Sequence, residues 1–443
     1  MGSARPATAR RTATACSTRA VMASLRFCKM IGDELLLLAT VTGPRRAIRI
    51  IADIRRAPVR LSEGSVMEEF DVAVVGLGAL GSAAAYHLAR QGVRVVAFEQ
   101  FELGHVRGAS HDTSRIVRTS YGSAAYVRFA QAAYREWAAL EAATGEHLLT
   151  ITGGVVFIPD DGPYDAADFA RSLSASGVPF ELLGPAEVRA RWPQFAVPEG
   201  VTCVYTPDSG IAHAARTVAT LQMHARVLGA ALRDRTRVDR LTPDGDGVVV
   251  STSGGDVRAR RVVVAADAWT NELLEPLGIR IPLEVMQEQV SYFAPADPGA
   301  FDGDRFPVWI WEDEQCFYGF PTYGEPTVKA ARDVSENRMA PAERTFVPSP
   351  ERTAELAAFL AATIPASGEL LRTVTCQYAL TPDRRFVIGP LIEHPDIIVA
   401  LGAGHAFKFT PAIGLALAEL ATGSDTTDDL TAFAVDATAV PAM

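Results

Sequence analysis

Several groups of residues have the types and spacing to do chemistry. Gly76, Gly78 and Gly81 stand at G-x-G-x-x-G spacing, which permits a tight turn, a close backbone approach to a pyrophosphate, and close packing of helix on strand. Glu99 follows about 20 residues later, where an acid binds a ribose hydroxyl pair and an arginine would instead suit a 2′-phosphate. Arg115 and Arg118 stand three apart beyond Ser110, His111, Thr113 and Ser114. If RIVR begins a helix, the two guanidiniums share a face and could hold a carboxylate or the edge of a cofactor ring. In isolation, R-x-x-R reads as a solvated face. Its position, just past the second strand of a dinucleotide fold, places it at the ligand end of the sheet.

Two lysines lie in apolar settings. Lys329, flanked by small apolar residues, is either an edge-strand guard against aggregation or a cation held inside a site. Tyr318 ends the strand before it. Lys408, between Phe407 and Phe409, carries a charge that is costly unless paired, and a substrate carboxylate is a suitable partner. Gly402 and Gly404 form a second glycine turn leading into a helix, whose N-terminus could stabilise negative charge on a reduced ring. Cys376 taken alone reads as a buried core thiol. His213 and His224 have no partner cluster and read as ordinary, and no pattern suggests a metal.

These residues need elements to position them. DVAVV is a short apolar strand fit for a buried parallel sheet. The helix that follows the glycines starts at the phosphate position, with its exposed N–H groups and positive dipole end toward an anion, and Gly92 suits its C-terminus. VRVVAF is the second strand, ending at Glu99. A bare glycine motif is weak, but here strand, loop, helix, strand and acid occur in order. The motif alone does not decide between FAD and NAD. Residues 126–143 read as an amphipathic helix burying Phe129, Ala133 and Trp137, and 166–175 as a short helix. Strands are expected over 236–241, which includes Val238, and over 247–252. ARRVVVAADAWTNELL is a strand running into a helix that rejoins the nucleotide sheet, with Trp269 either beside the cofactor or filling core. From 282 to 373 the pattern becomes an antiparallel sheet. Residues 397–401 form a strand, followed by the second glycine turn and a helix over about 411–423.

The totals set limits. At 443 residues, 48% hydrophobic and 21% charged, the chain is an ordinary globular protein with room for two domains. A net charge of -10 argues against a nucleic acid partner. The five scattered cysteines form no disulfide framework, and a reducing compartment fits. Residues 1–66 hold twelve Lys or Arg against four acids. They read as a disordered leader or an overextended start, since the run LLLLATV is too short to span a bilayer, which takes about 20 apolar residues.

The motifs GLGALG, SHDTSRIVR, FYGFP with a lysine downstream, TCQY and GAGHAFKF resemble the monomeric sarcosine oxidase and N-methyltryptophan oxidase family of FAD-dependent amine oxidases, over nearly all of the chain from Met67 to about Leu430. The resemblance implies an α/β fold: a Rossmann-like FAD-binding domain (67–153, 205–281 and 374–432) with a substrate domain on a mainly antiparallel sheet (154–204 and 282–373). It implies FAD linked covalently through the sulfur of Cys376. Arg118 and Lys408 match the pair that binds the substrate carboxylate, Arg115 and His111 match residues beside the flavin ring, and Lys329 matches the lysine credited with oxygen activation. Tyr318 and Asp333 would shape the pocket and tune the amine. Gly76, Gly78, Gly81, Glu99, Ser110, Val238, Trp269, Gly402, Gly404, Phe407 and Lys408 complete the expected cofactor set. Two departures stand out. Asp333 replaces the histidine found four residues beyond the lysine in sarcosine-type members, which is similar to oxidases of cyclic imino acids such as piperidine-2-carboxylate. Asp112 stands where the family has glycine.

The expected function is therefore oxidation of the C–N bond of an N-methylated or cyclic amino acid, with oxygen reduced to hydrogen peroxide, by a cytoplasmic monomer without membrane or nucleic acid partners. Rivals are a flavin oxidase of a fructosyl or primary amino acid, an NAD-dependent dehydrogenase, and a protein in which flavin is only structural.

Overall fold

The computed structural model describes residues 38–41, 48–51, 67–435 and 440–441. Contacts divide the chain into two units, Met1–Val66 and Met67–Met443. In the first, the strands Leu38–Val41 and Ile48–Ile51 pair antiparallel. The rest of what was expected of 1–66 lies outside the described residues.

In the second unit, apolar runs without alternation make a sheet buried on both faces, the signature of parallel strands under helices. Its parallel strands run in the order Ala231–Arg233, Val95–Phe98, Glu68–Val75 and Val257–Val264. Val257–Val264 is the pivot. Its first residues pair antiparallel with Gly247–Thr252, and its last three take Ile397–Leu401 in parallel. The strand expected over 236–241 is Val238–Asp244, paired with Gly247–Thr252. The helix Ala79–Arg90 packs against both Ala214–Val227 and Thr410–Thr422 beside this sheet. Leu88 and Ile413 are in the core they share with Val72 and Val74.

A second eight-stranded sheet has the order Glu369–Leu380, Glu284–Ala294, Val328–Asp333, Cys316–Phe320, Val308–Trp311, Gly154–Pro159, Val201–Thr206 and Glu181–Leu183. Its ladders are antiparallel except where Val308–Trp311 meets Gly154–Pro159. Residues 374–380, expected with the nucleotide domain, run here instead, because Glu369–Leu380 pairs along its length with Glu284–Ala294.

One expected element changes type. RIVR is not the start of a helix: Ser114–Val117 is a strand, paired with Gly210–His213, which also pairs with Leu149–Ile151. The β-branched Ile116 and Val117 suit it, and the strand's pairing satisfies backbone groups that a four-residue helix would leave open. The helix Ala124–Thr144 matches its expectation, burying Phe129, Ala133 and Trp137 and ending at Gly145 in the left-handed region. No described helix is long and apolar enough to cross a membrane.

Two of these helices approach closely where Gly414 meets Ala83. A Cβ at Gly414 would come within 2.4 Å of the Ala83 Cβ and 2.7 Å of its backbone carbon. Gly414→Ala gains about 1 kcal/mol in helix propensity, but overpacking against backbone costs about 1–3 kcal/mol. The expected outcome is a net loss of stability and a lowered Tm in chemical and thermal unfolding.

Candidate active site

The two sheets and the strand Ser114–Val117 contribute to one cavity of about 820 Å³. Its walls run from the Gly76 turn to the Gly402 turn and include Gly78, Glu99, Ser110, Val238, Trp269 and Gly404. At the nucleotide end, Gly76 has φ +93°, and a Cβ there would lie 2.4 Å from the Ala265 carbonyl oxygen. Gly81 does not line the cavity; its hydrogen in place of a Cβ lets the helix sit on the turn, since a Cβ would lie 1.9 Å from the Gly76 carbonyl oxygen. Ser110 Oγ accepts from the Ala79 N–H at 2.9 Å, anchoring the first turn of the helix. The buried Glu99 carboxylate accepts from the Leu77 N–H at 3.0 Å and the Phe101 N–H at 3.1 Å, with His105 Nε2 3.4 Å away. Burial pushes its pKa up, but the His105 and backbone hydrogen bonds outweigh this and leave it below the usual carboxylate value. Trp269 stands edge-on to Phe101.

Sequence reasoning missed Asp267 on this wall. Burial raises its carboxyl pKa to about 6, its φ is +47°, and its Oδ2 has no hydrogen-bond partner among the described residues. The position, straight after Val257–Val264 at the ligand end of the parallel strands, was the available signal. His111 Nε2 is another buried polar atom without a partner among the described residues, and burial together with Arg115 lowers its pKa to about 4, so the ring is neutral. A glycine turn, an acid at the end of the second parallel strand and unpartnered polar atoms along one cavity fit FAD.

Around Lys329 the second sheet closes the cavity. Val328–Asp333 is an interior strand between Glu284–Ala294 and Cys316–Phe320, so Lys329 is no edge guard. It is 4% exposed. Its Nζ donates to Ser114 O at 3.1 Å and Ser114 Oγ at 3.2 Å, and lies 2.6 Å from Asp112 Oδ2. Burial lowers its pKa to about 8, against the opposing pull of Asp112. Arg115 lines the cavity and donates to the carbonyls of Ala109, His111 and Ser114 at 2.8 Å each, holding the turn that carries Asp112. Cys376 is buried behind the lining residues, and burial pushes its thiol up to about 12, with Arg115 opposing. Its neighbour by two, Tyr378, lines the cavity with its hydroxyl 3.4 Å from that of Tyr318.

A cluster of half-buried charges makes up the remaining wall. Arg118 lies 3.3 Å from Glu312 and 4.5 Å above the Tyr121 ring. Lys408 Nζ donates to the His405 carbonyl at 2.8 Å. Burial and then the Arg118 charge lower its pKa to about 7. The long helix Ala124–Thr144 fixes this segment, since Trp137 Nε1 donates to the Lys408 carbonyl at 2.8 Å. Asp333 pairs with Arg384 at 2.6 Å, and Phe407 completes the wall with its ring 5.8 Å from the Arg115 guanidinium. Arg384 and Glu312 were not foreseen, because only the turn of two sheets toward one cavity brings them to Asp333 and Arg118. His213 is satisfied by Thr150 and His147, as an ordinary histidine should be. The described residues contain no group of three or more metal-binding side chains.

Residues 71–420 match the FAD dependent oxidoreductase family. The chain is 32% identical to the monomeric sarcosine oxidase of Bacillus sp. (strain B-0618), over 83% of this chain and 96% of that one. It is 30% identical to the N-methyl-L-tryptophan oxidase of Yersinia pestis (strain Pestoides F), over 83% and 99%. The structure of NikD, an unusual amino acid oxidase essential for nikkomycin biosynthesis, is similar with a TM-score of 0.74 and 29% identity, over 83% of this chain and 97% of that one. The nicotinamide alternative falls with these likenesses: the chain belongs to the FAD dependent oxidoreductase family, among its amine oxidases.

Proposed function

We propose that the protein oxidises the C–N bond of a secondary amino acid to an imine, and that oxygen takes up the two electrons and two protons removed, giving hydrogen peroxide. The observation that carries the reading is the position of Arg118 and Lys408 on the wall of the same cavity that Lys329 and the nucleotide turn border. FAD, when bound, supplies a two-electron acceptor for hydride. The Gly76 to Gly81 turn, Glu99, Ser110 and Trp269 would hold it, with Cys376 as the sulfur that links it. Arg118 and Lys408 bind the substrate carboxylate and fix the amine toward the ring. Tyr318 and Tyr378 exclude water beside the C–N bond. No protein base is assigned, since an amine that binds neutral has none of its protons to lose before hydride transfer. Lys329 holds a cation where oxygen gains its first negative charge.

Asp333, paired with Arg384 and standing where sarcosine-type members have a histidine, favours a cyclic amino acid within this class over sarcosine. The division into an FAD-binding part (67–153, 205–281 and 381–432) and a substrate part (154–204 and 282–380), with 374–380 moved to the sheet they pair in, belongs to this proposal, as do a monomeric state and a cytoplasmic location.

Purified protein precipitated with acid should keep its yellow colour in the pellet, and Cys376→Ala should release it to the supernatant. Release from the unsubstituted protein would remove the sulfur link. In stopped flow, Lys329→Met should leave reduction by substrate intact and slow reoxidation by about 10²–10³; unchanged reoxidation would remove the oxygen role. Lys408 is charged below its pKa of about 7 and neutral above it. A simple carboxylate without an amine, such as acetate, should therefore bind more weakly as pH rises through about 7, read as a flavin spectral shift on titration. Lys408→Gln should bind it weakly at every pH, and a Kd for the parent that stays constant across this range would separate Lys408 from the carboxylate.

A further inference from the structure

Asp112 occupies a position whose backbone favours glycine, with φ +79°, and it is the place where the resembled pattern has one. Aspartate tolerates the left-handed region better than most residues, but still at a cost relative to glycine. Something must hold it there. Its Oδ2 lies 2.6 Å from Lys329 Nζ, and its Oδ1 accepts from the Tyr292 hydroxyl at 2.6 Å. Tyr292 stands directly opposite Lys329 in the ladder between Glu284–Ala294 and Val328–Asp333, so the carboxylate is gripped by two neighbouring strands at once. Arg372 rests 3.8 Å from the centre of the Tyr292 ring and backs this arrangement.

The surroundings of Lys329 offer no substitute counterion among the described residues. Ser114–Val117 presents Ser114, a neutral donor and acceptor, and Arg115, a cation. The turn before it presents His111, neutral near pH 7, and Asp112. Glu284–Ala294 presents the Tyr292 phenol, held protonated by burial and the Asp112 charge. Cys316–Phe320 presents the Phe320 ring, 4.9 Å from Nζ, and Glu369–Leu380 the Cys376 sulfur, neutral as the buried thiol and equally as a flavin thioether. Asp112 is the one anion in this set. A fully buried ammonium without it would favour losing its proton.

We propose that Asp112 is a positioning residue: its carboxylate fixes Lys329 Nζ against Ser114 and keeps it an ammonium at neutral pH, so that the cation is in place when oxygen takes up charge. The inference rests on the oxygen-activating reading of Lys329, and it adds a requirement that lysine identity alone does not meet.

The test uses the FAD-loaded protein and two readouts, the pH dependence of the flavin midpoint potential and the rate of reoxidation by oxygen. The potential should show an inflection that disappears in Lys329→Met, which assigns it to this lysine. In Asp112→Asn the inflection should move down by about 1–3 pH units, the effect of removing an opposite charge at this distance. Reoxidation near pH 7 should slow with it, and Asp112→Glu should restore both. Asp112→Gly, whose backbone suits φ +79°, gives the same readout should Asp112→Asn fail to fold or load. An inflection in Asp112→Asn that stays at the parent position, or moves up, overturns the proposal. Reoxidation at the parent rate in Lys329→Met would instead overturn the oxygen role of the lysine, while the shift in potential would still decide whether Asp112 holds its proton.

Discussion

The constraint on which the site depends is the cost of keeping charge away from water. Lys329, Arg118, Lys408, Arg384, Asp112, Glu312 and Asp333 all border one cavity, and a buried ion without a partner would shift its pKa or disrupt the fold. The molecule meets this constraint with partners drawn from different elements. Lys329 takes Asp112 and Ser114, Arg118 takes Glu312, and Asp333 takes Arg384. Lys408 is the exception. Its nearest fixed acceptor is a backbone carbonyl, and its pKa falls to about 7, which makes it the cation with most to gain from an incoming carboxylate.

These pairs also join parts of the fold that share no ladder. Lys329 belongs to the second sheet, whereas Asp112 and Ser114 belong to the turn and strand held by Gly210–His213 and Leu149–Ile151. Arg118 follows that same strand and reaches Glu312, just past Val308–Trp311. Breaking one partner of such a pair costs more than the pair contributes, because the other is left buried and charged. The charges are therefore structural ties as well as chemical groups, and the cavity they surround is held open from several sides at once.

Differences from the sequence reading have physical causes of the same kind. RIVR carries arginines at helical spacing, but its Ile116 and Val117 find a neighbouring strand, and the ladder decides the conformation. Lys329 carries the signature of an edge guard, yet strands pair on both sides of it. Residues 374–380 read with the C-terminal nucleotide segment, whereas their hydrogen bonds run to Glu284–Ala294. In each case a local pattern was compatible with two settings, and long-range pairing chose between them.

The sequence by itself determined the nucleotide half of the protein. Gly76, Gly78, Gly81 and Glu99 act through backbone conformation and short-range spacing, so strand, turn, helix and acid could be read in order, and the family motifs around His111, Cys376 and Lys408 extended that reading to the chemistry. Only the tertiary structure decided the charge pairing. Asp112 and Lys329 lie more than 200 positions apart, and nothing in residue type or period says which acid will meet which base. That choice follows from the strand order of two sheets, because a charge deep in a fold must take whatever partner the packing of distant segments brings within a few ångströms.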